Sequence, residues 1–299
     1  MSLVIVGSLA FDTIETPQVR KERIIGGSCA FSALAASYFT SPRIVAVVGE
    51  DFPPEFIDLL NRRGVDTRGV IREAGKTFYW EGRYGEDPNQ RSTVRTELNV
   101  FQDFQPRLGR DYAEADILFL GNIDPDLQED IRSQARNPQL VAMDTINLWI
   151  NTKPEPLKRV IRQVDVFFAN DEEVKMIAAH HNLITAGRRL LEMGPSLVIV
   201  KKGEHGALLL GREFIFGLMA YPCEAVVDPT GAGDSFAGAF LGFLDKVGTF
   251  HPEDIRKAAA YGSVMASFTI EDFSVDRLVA VSSAEIEERF EALRKLVAF

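Results

Sequence analysis

The chain has 299 residues, enough to bury a large core, and an ordinary globular composition. Its formal net charge of -10 and lack of any basic tract argue against binding a nucleic-acid backbone, because that binding needs clustered Lys and Arg to displace counterions. No apolar run approaches membrane-spanning length, and Cys29 and Cys223 lack a CxxC partner, so the expectation is a reduced, cytoplasmic compartment.

Residues 1–7 are soon followed by Asp12 and Glu15; they read as a first strand and not as a leader. From there short β-branched runs alternate with helical patterns. Strands are expected over 3–7, 43–48, 117–120, 140–143, 166–169 and 197–200. Helices are expected over 27–39, 54–63 (stopped by Gly64), 126–136, 156–164, 171–179 and 185–193, where apolar residues recur at three- and four-residue spacing. The alternation predicts an α/β fold, a three-layer sandwich around a mostly parallel sheet, as a single domain over 1–299. One excursion, from about 67 to 104, breaks the rhythm. Residues 77–84 and 92–96 alternate like half-exposed antiparallel strands around a turn at 85–89, which predicts a small β appendage, with a second short segment near 10–20. Beyond Gly231 the chain turns helical, with 252–268 and 283–297 closing the domain.

The most informative stretch is Val227-Asp228-Pro229-Thr230-Gly231-Ala232-Gly233-Asp234-Ser235-Phe236. Gly231, Ala232 and Gly233 let backbone N–H groups turn toward one point, and a helix start favours negative charge there through its unpaired donors and dipole. Asp234 follows at once, close enough to accept the proton of an attacking hydroxyl while the helix start holds a phosphoryl group. Phe236, Phe240, Phe243, Leu244 and Val247 recur at helical spacing and predict a buried anchoring face. The bland alternative is a capped, glycine-started core helix; the number of fixed residues in the run weighs against it.

The segment from Asp228 to Asp234 resembles the C-terminal signature of the ribokinase/PfkB carbohydrate kinases, and further segments fit that family in order along nearly the whole chain. The resemblance implies a ribokinase-like fold in which the β excursion is a lid over the substrate and a surface for homodimers. It makes Asp234 the catalytic base and Gly231, Ala232 and Gly233 the anion hole. It also implies ATP with Mg2+ as phosphoryl donor and a small polyol as acceptor, and some relatives are activated by a monovalent cation near the position of Asp228.

Asp12, after the first strand, taken alone reads as a turn or cap residue; the resemblance makes it a ligand of substrate hydroxyls. Gly26, Gly27 and Ser28 open the N-terminal glycine signature on the substrate side. Many sugar kinases of the family carry asparagine at the position of Phe31, and a phenyl ring cannot make those hydrogen bonds. A plain ribose or fructose substrate therefore does not follow, and Tyr79, Trp80 and Arg83 in the lid are candidate compensators. Asn170 and Glu173 match the family's Asn-x-x-Glu motif of the magnesium and phosphate environment and would hold Mg2+ through water, although an asparagine cap followed by acids begins many helices. Lys201, Gly203 and Gly206 resemble the nucleotide-side segment, with Thr230, Gly231 and Gly233 beside them. Asp144, with Asn147 and Trp149, lies where relatives often place Asp-x-Asn, one residue longer here, and its role stays open.

Other signals are discounted. Gly69 to Thr77 has five residues between its glycines where a Walker A loop has four, and the first strand ends at Gly7 without G-x-G-x-x-G spacing. His180 and His181 are adjacent, so they cannot share one helix face as metal ligands. The reading is a kinase that transfers the γ-phosphoryl of ATP to a hydroxyl of a small polyol, first a sugar or sugar derivative. Nucleoside and cyclitol kinases of the same family are the alternatives, and a catalytically silent sugar- or nucleotide-binding regulatory protein is the rival from another class.

Overall fold

Runs such as Leu3-Val4-Ile5-Val6 are apolar on both faces, which suits a strand covered on both sides, and in the computed structural model all four side chains are fully buried. The structure describes residues 1–87 and 91–297; the expected turn at 85–89 therefore lies partly outside the described residues. Its strands are β1 (Leu3–Val6), β2 (Ala10–Glu15), β3 (Arg20–Gly26), β4 (Arg43–Gly49), β5 (Asp66–Glu73), β6 (Phe78–Tyr84), β7 (Arg91–Glu97), β8 (Ile117–Leu120), β9 (Leu140–Met143), β10 (Val166–Asn170), β11 (Leu197–Lys201), β12 (Ala207–Gly211) and β13 (Ile215–Leu218).

The main sheet has the order β13-β12-β11-β10-β9-β8-β1-β4-β5, with every pair from β11 to β5 parallel and β12 and β13 added antiparallel at one edge. Helices cover both faces. Leu3 and Ile5 point into one core with α1 (Ser28–Ala36), α3 (Ala232–Val247) and α4 (Pro252–Thr269). Val4 and Val6 point into the other with α2 (Asp171–Ala178) and the helices Pro154–Ile161 and Leu183–Met193. This is the expected α/β three-layer sandwich.

A second sheet, β3-β2-β6-β7, forms the lid. Its boundaries differ from the sequence reading. β5, assigned there to the excursion, is the edge strand of the main sheet, paired parallel to β4, and its Gly69 N–H is held by the Tyr112 hydroxyl at 3.1 Å. The other lid segment is longer than 10–20 and reaches Gly26, because β2 pairs with both β3 and β6. Among the described residues, no helix is long and apolar enough to cross a membrane.

Candidate active site

Gly231 caps α3 with φ 78°, and any Cβ there would run into the Phe31 ring. That ring is 1% exposed, so Phe31 is the floor under the glycine turn and not a wall of the substrate pocket, which corrects its substrate-side assignment. Close packing explains the burial: Gly238 and Gly242 of α3 leave no room for side chains against Ser32 and Ala36, so α1 lies directly on the helix that starts at the turn. Phe236 and Phe240 stack on each other and meet Phe168 edge-on, anchoring the first turns of α3. Val247, expected on that face, is 37% exposed at the helix end.

The turn offers a different set of donors from the one expected, with Asp234 in place of Ala232. Ala232 N–H is taken up by the Pro229 carbonyl at 3.2 Å, while the N–H groups of Gly231, Gly233 and Asp234 have no backbone acceptor among the described residues. An anion at this point would be held by those three and by the start of a sixteen-residue helix. Lys201, at the end of β11, adds a cation: its Nζ lies 2.9 Å from where a Cβ of Gly233 would be and 2.5 Å from Asp144 Oδ2. Asp144, whose role the sequence left open, thus holds Lys201 over the turn. Asn147 is exposed, and Trp149 Nε1 donates to Asn122 Oδ1 at 3.1 Å.

Burial, reinforced by the charge of Asp144, pushes Asp234 up to about 7, while Lys201 and Arg91 pull it down. A carboxylate poised there can take a proton near neutral pH and release it again. Burial also pushes Asp12 up to about 8, with Asp228 and Asp234 raising it further and Arg91 opposing. The Asp12 carboxylate lies against Gly26, where a Cβ would overlap it, so Gly26 lets the acid face the site. Gly27 has φ 94°, and a Cβ there would meet the Ser8 carbonyl. Ser28 is buried; its Oγ accepts Ser8 N–H at 3.1 Å, so it fastens the end of β1 to the start of α1 and does not face substrate.

Strand alternation sorts the lid residues. Asp12 is paired with Trp80 in register, and Ile14, Trp80 and Tyr84 share that face. Arg83 sits on the opposite face, opposite Glu15, and its side chain is 56% exposed in an ion pair with that residue at 3.0 Å. Arg20 joins the same outer ladder through Glu15 and Glu81. The arginine on the site face is Arg91, opposite Tyr84; its guanidinium lies 5.5 Å from the Trp80 ring centroid and lowers the pKa values of Asp12, Asp234 and Glu173. Sequence reasoning missed it. The signal was the even spacing from Trp80 to Tyr84 followed across the hairpin, which needs the register of β7.

Asn170 and Glu173 form a capping box at α2: Asn170 Oδ1 accepts Glu173 N–H and Glu173 Oε2 accepts Asn170 N–H, each at 2.8 Å. Burial pushes Glu173 up to about 7, against the pull of Lys201. Among the described residues, no three His, Cys, Asp or Glu side chains are grouped to hold a metal ion directly. The donors still fit Mg2+, because Glu173 Oε1 stays outside the box and Mg2+ is commonly held by one carboxylate, substrate phosphates and water. Gly203 (φ 54°) and Gly206 (φ 82°) shape the β11–β12 turn, and Gly206 is demanded by the close passage of the Leu218 carbonyl. Thr230, expected on the nucleotide side, turns its hydroxyl to the Tyr84 hydroxyl in the lid at 2.9 Å. Asp228 is 1% exposed; Oδ1 accepts Thr230 N–H at 2.9 Å and Oδ2 has no hydrogen-bond partner, while the Thr230 side chain and the Ser274 N–H also act on the carboxylate. Burial raises its pKa, and an orphaned acid oxygen of this kind suits a monovalent cation.

N–H groups without backbone acceptors at a helix start, a near-neutral carboxylate beside them and a second buried acid next to the lid strands are the arrangement expected of a phosphotransferase that acts on an alcohol. The chain belongs to the pfkB family of carbohydrate kinases, whose pattern its residues 2–279 match. As a member it is an ATP-dependent kinase. It is 29% identical to a cytidine kinase of Thermococcus kodakarensis over 81% of this chain and 87% of that one. With a nucleoside kinase of Methanothermobacter thermautotrophicus it shares 26% identity over 90% and 89% of the two chains. The fold is shared with the Burkholderia thailandensis nucleoside kinase solved in complex with inosine, at TM-score 0.80 and 20% identity over 98% of each chain. It is also shared with the Vibrio cholerae fructokinase, at TM-score 0.82 and 17% identity over 97% and 99%.

Proposed function

We propose that the protein is a nucleoside kinase, transferring the γ-phosphoryl of ATP to a ribose hydroxyl. The observation that carries the reading is the pairing of Asp12 with Trp80 on adjacent strands of one lid face. A carboxylate that orients hydroxyls next to an indole matches a substrate with a sugar at one end and a flat base at the other. The identity with a cytidine kinase and a nucleoside kinase over more than four-fifths of each chain supports it. Phe31, lying in the core beneath Gly231, offers no amide to a free sugar.

In the reaction the acceptor hydroxyl, oriented by Asp12, gives its proton to Asp234 as its oxygen forms the bond to the γ phosphorus and the β–γ bridge breaks. The free N–H groups at the start of α3 and the Lys201 ammonium take up the charge of the moving phosphoryl. Mg2+, held through Glu173 and the nucleotide phosphates, would supply further neutralisation of that charge.

Initial rates with cytidine, uridine, inosine, adenosine, ribose, fructose and myo-inositol, each with ATP and Mg2+, test the reading. The expected result is a kcat/KM for at least one nucleoside about tenfold or more above every free sugar and cyclitol, the worth of one aromatic stacking contact. A free sugar or cyclitol as best acceptor overturns it, and no transfer to any alcohol would return the silent-binder alternative.

A further inference from the structure

Tyr84 ends β6 on the site face, and its phenolic oxygen lies 2.9 Å from Thr230 Oγ1. Both residues are buried, Tyr84 at 6% exposure and Thr230 at 9%. Thr230 in turn donates its N–H to Asp228 Oδ1, and the next residue, Gly231, caps α3. Among the described residues this is the one hydrogen bond that joins a lid strand to the glycine turn. The Tyr84 ring packs with Ile14 and Phe273, and besides Thr230 the Arg91 guanidinium acts on its hydroxyl. Burial raises the pKa of the phenol, which keeps its proton in place at working pH.

From this geometry we infer that Tyr84 is a positioning residue: its hydroxyl latches the lid to the phosphoryl-binding turn and couples lid closure to the exclusion of water. The inference rests on the family's phosphoryl transfer and not on the choice of acceptor. With the latch broken, water reaches the phosphate. Its oxygen bonds to the γ phosphorus, the β–γ bridge breaks and Asp234 takes the proton, giving ADP and inorganic phosphate in place of a phosphorylated acceptor.

Tyr84→Phe removes the hydroxyl and keeps the ring. The expected result is an ATP hydrolysis rate without any acceptor raised about fivefold, the size of one net hydrogen bond, with amide exchange in β6 and β7 faster by a similar factor and that in α3 and β8 to β11 unchanged. Thr230→Val should reproduce both effects, and Thr230→Ser, which keeps the hydroxyl, should restore wild-type values. The double variant Tyr84→Phe/Thr230→Val should be no worse than the worse single one, since both remove the same bond. Hydrolysis and lid exchange at or below wild-type rates in Tyr84→Phe overturn the latch, as do effects that multiply in the double variant. None of these measurements needs an acceptor, so failure of the nucleoside reading leaves them interpretable.

Discussion

The glycine turn before α3 and the lid face each other across the site, but they hold their shapes by different means. The turn is locked by packing: Phe31 lies under Gly231, Ser32 and Ala36 lie on Gly238 and Gly242, and Phe168 wedges against Phe236 and Phe240. The lid is held by strand pairing, a small apolar cluster of Ile14, Tyr84 and Phe273, and an outer ladder of charges that is exposed apart from Glu81. A packed core has few alternatives to its native arrangement, whereas exposed ion pairs contribute little and rearrange at small cost. The phosphoryl side is therefore built rigid, and adaptation to the acceptor falls to the lid.

Substitutions on the two sides should separate accordingly. Asp234→Asn should lower kcat by about 10^2-fold or more with acceptor KM little changed, the usual size of a general-base effect; near-normal turnover would remove Asp234 from that role. Gly231→Ala must strain a φ of 78° and displace the Phe31 ring, so it should cost about 1–2 kcal/mol from the backbone alone and lower turnover about tenfold or more. Gly85→Ala, at the lid tip with nothing within 4 Å of the new Cβ, should leave melting temperature and rate unchanged. Equal effects of the two glycine changes would erase the contrast between core and lid.

Within the lid, Arg91→Ala should reduce kcat/KM about tenfold and move the acid limb of its pH profile upward, because the guanidinium lowers the pKa of Asp234; Arg83→Ala should stay within about twofold. If the two arginines behave alike, the facing drawn from strand register is wrong. The smallest effect concerns pH. Burial raises Asp12 to about 8 and Asp234 and Glu173 to about 7, above their unfolded values near 4, so the folded state binds these protons more tightly. Their contribution to stability is present below about pH 4 and is lost as pH rises through 7 to 8. The ligand-free protein should then melt a few degrees higher at pH 6 than at pH 8.5, and Asp12→Asn should flatten that difference. The base needs the opposite protonation state, so kcat/KM should rise with pH through about 7, as initial rates at saturating ATP and Mg2+ would show.

Much of this site could be read before folding. The turn and its acid follow from residues adjacent in the chain, and the strands of the parallel sheet follow from short apolar runs that only a doubly covered sheet can bury. The Asn170–Glu173 motif was legible too, although the structure shows its two side chains closing a capping box. Residues whose meaning depends on a distant partner were not legible. Phe31 looked like a substrate position until α3 closed over it, and β5 looked like part of the lid until β4 took it as a neighbour. Arg83 and Arg91 are equally basic in sequence, and only the pairing of β2 with β6 and of β6 with β7 decides which one meets the acids. Asp144 acquired its role when β9 and β11 brought it to Lys201.

By itself the sequence determined the reaction class and the fold and singled out Asp234 as the candidate base, because each is written in contiguous residues whose backbone chemistry is local. Tertiary structure alone decided how the acids are tuned, which face of the lid is turned inward and which hydroxyl latches it. Those properties depend on burial and on register between strands far apart in the chain, and neither quantity exists until the chain has folded.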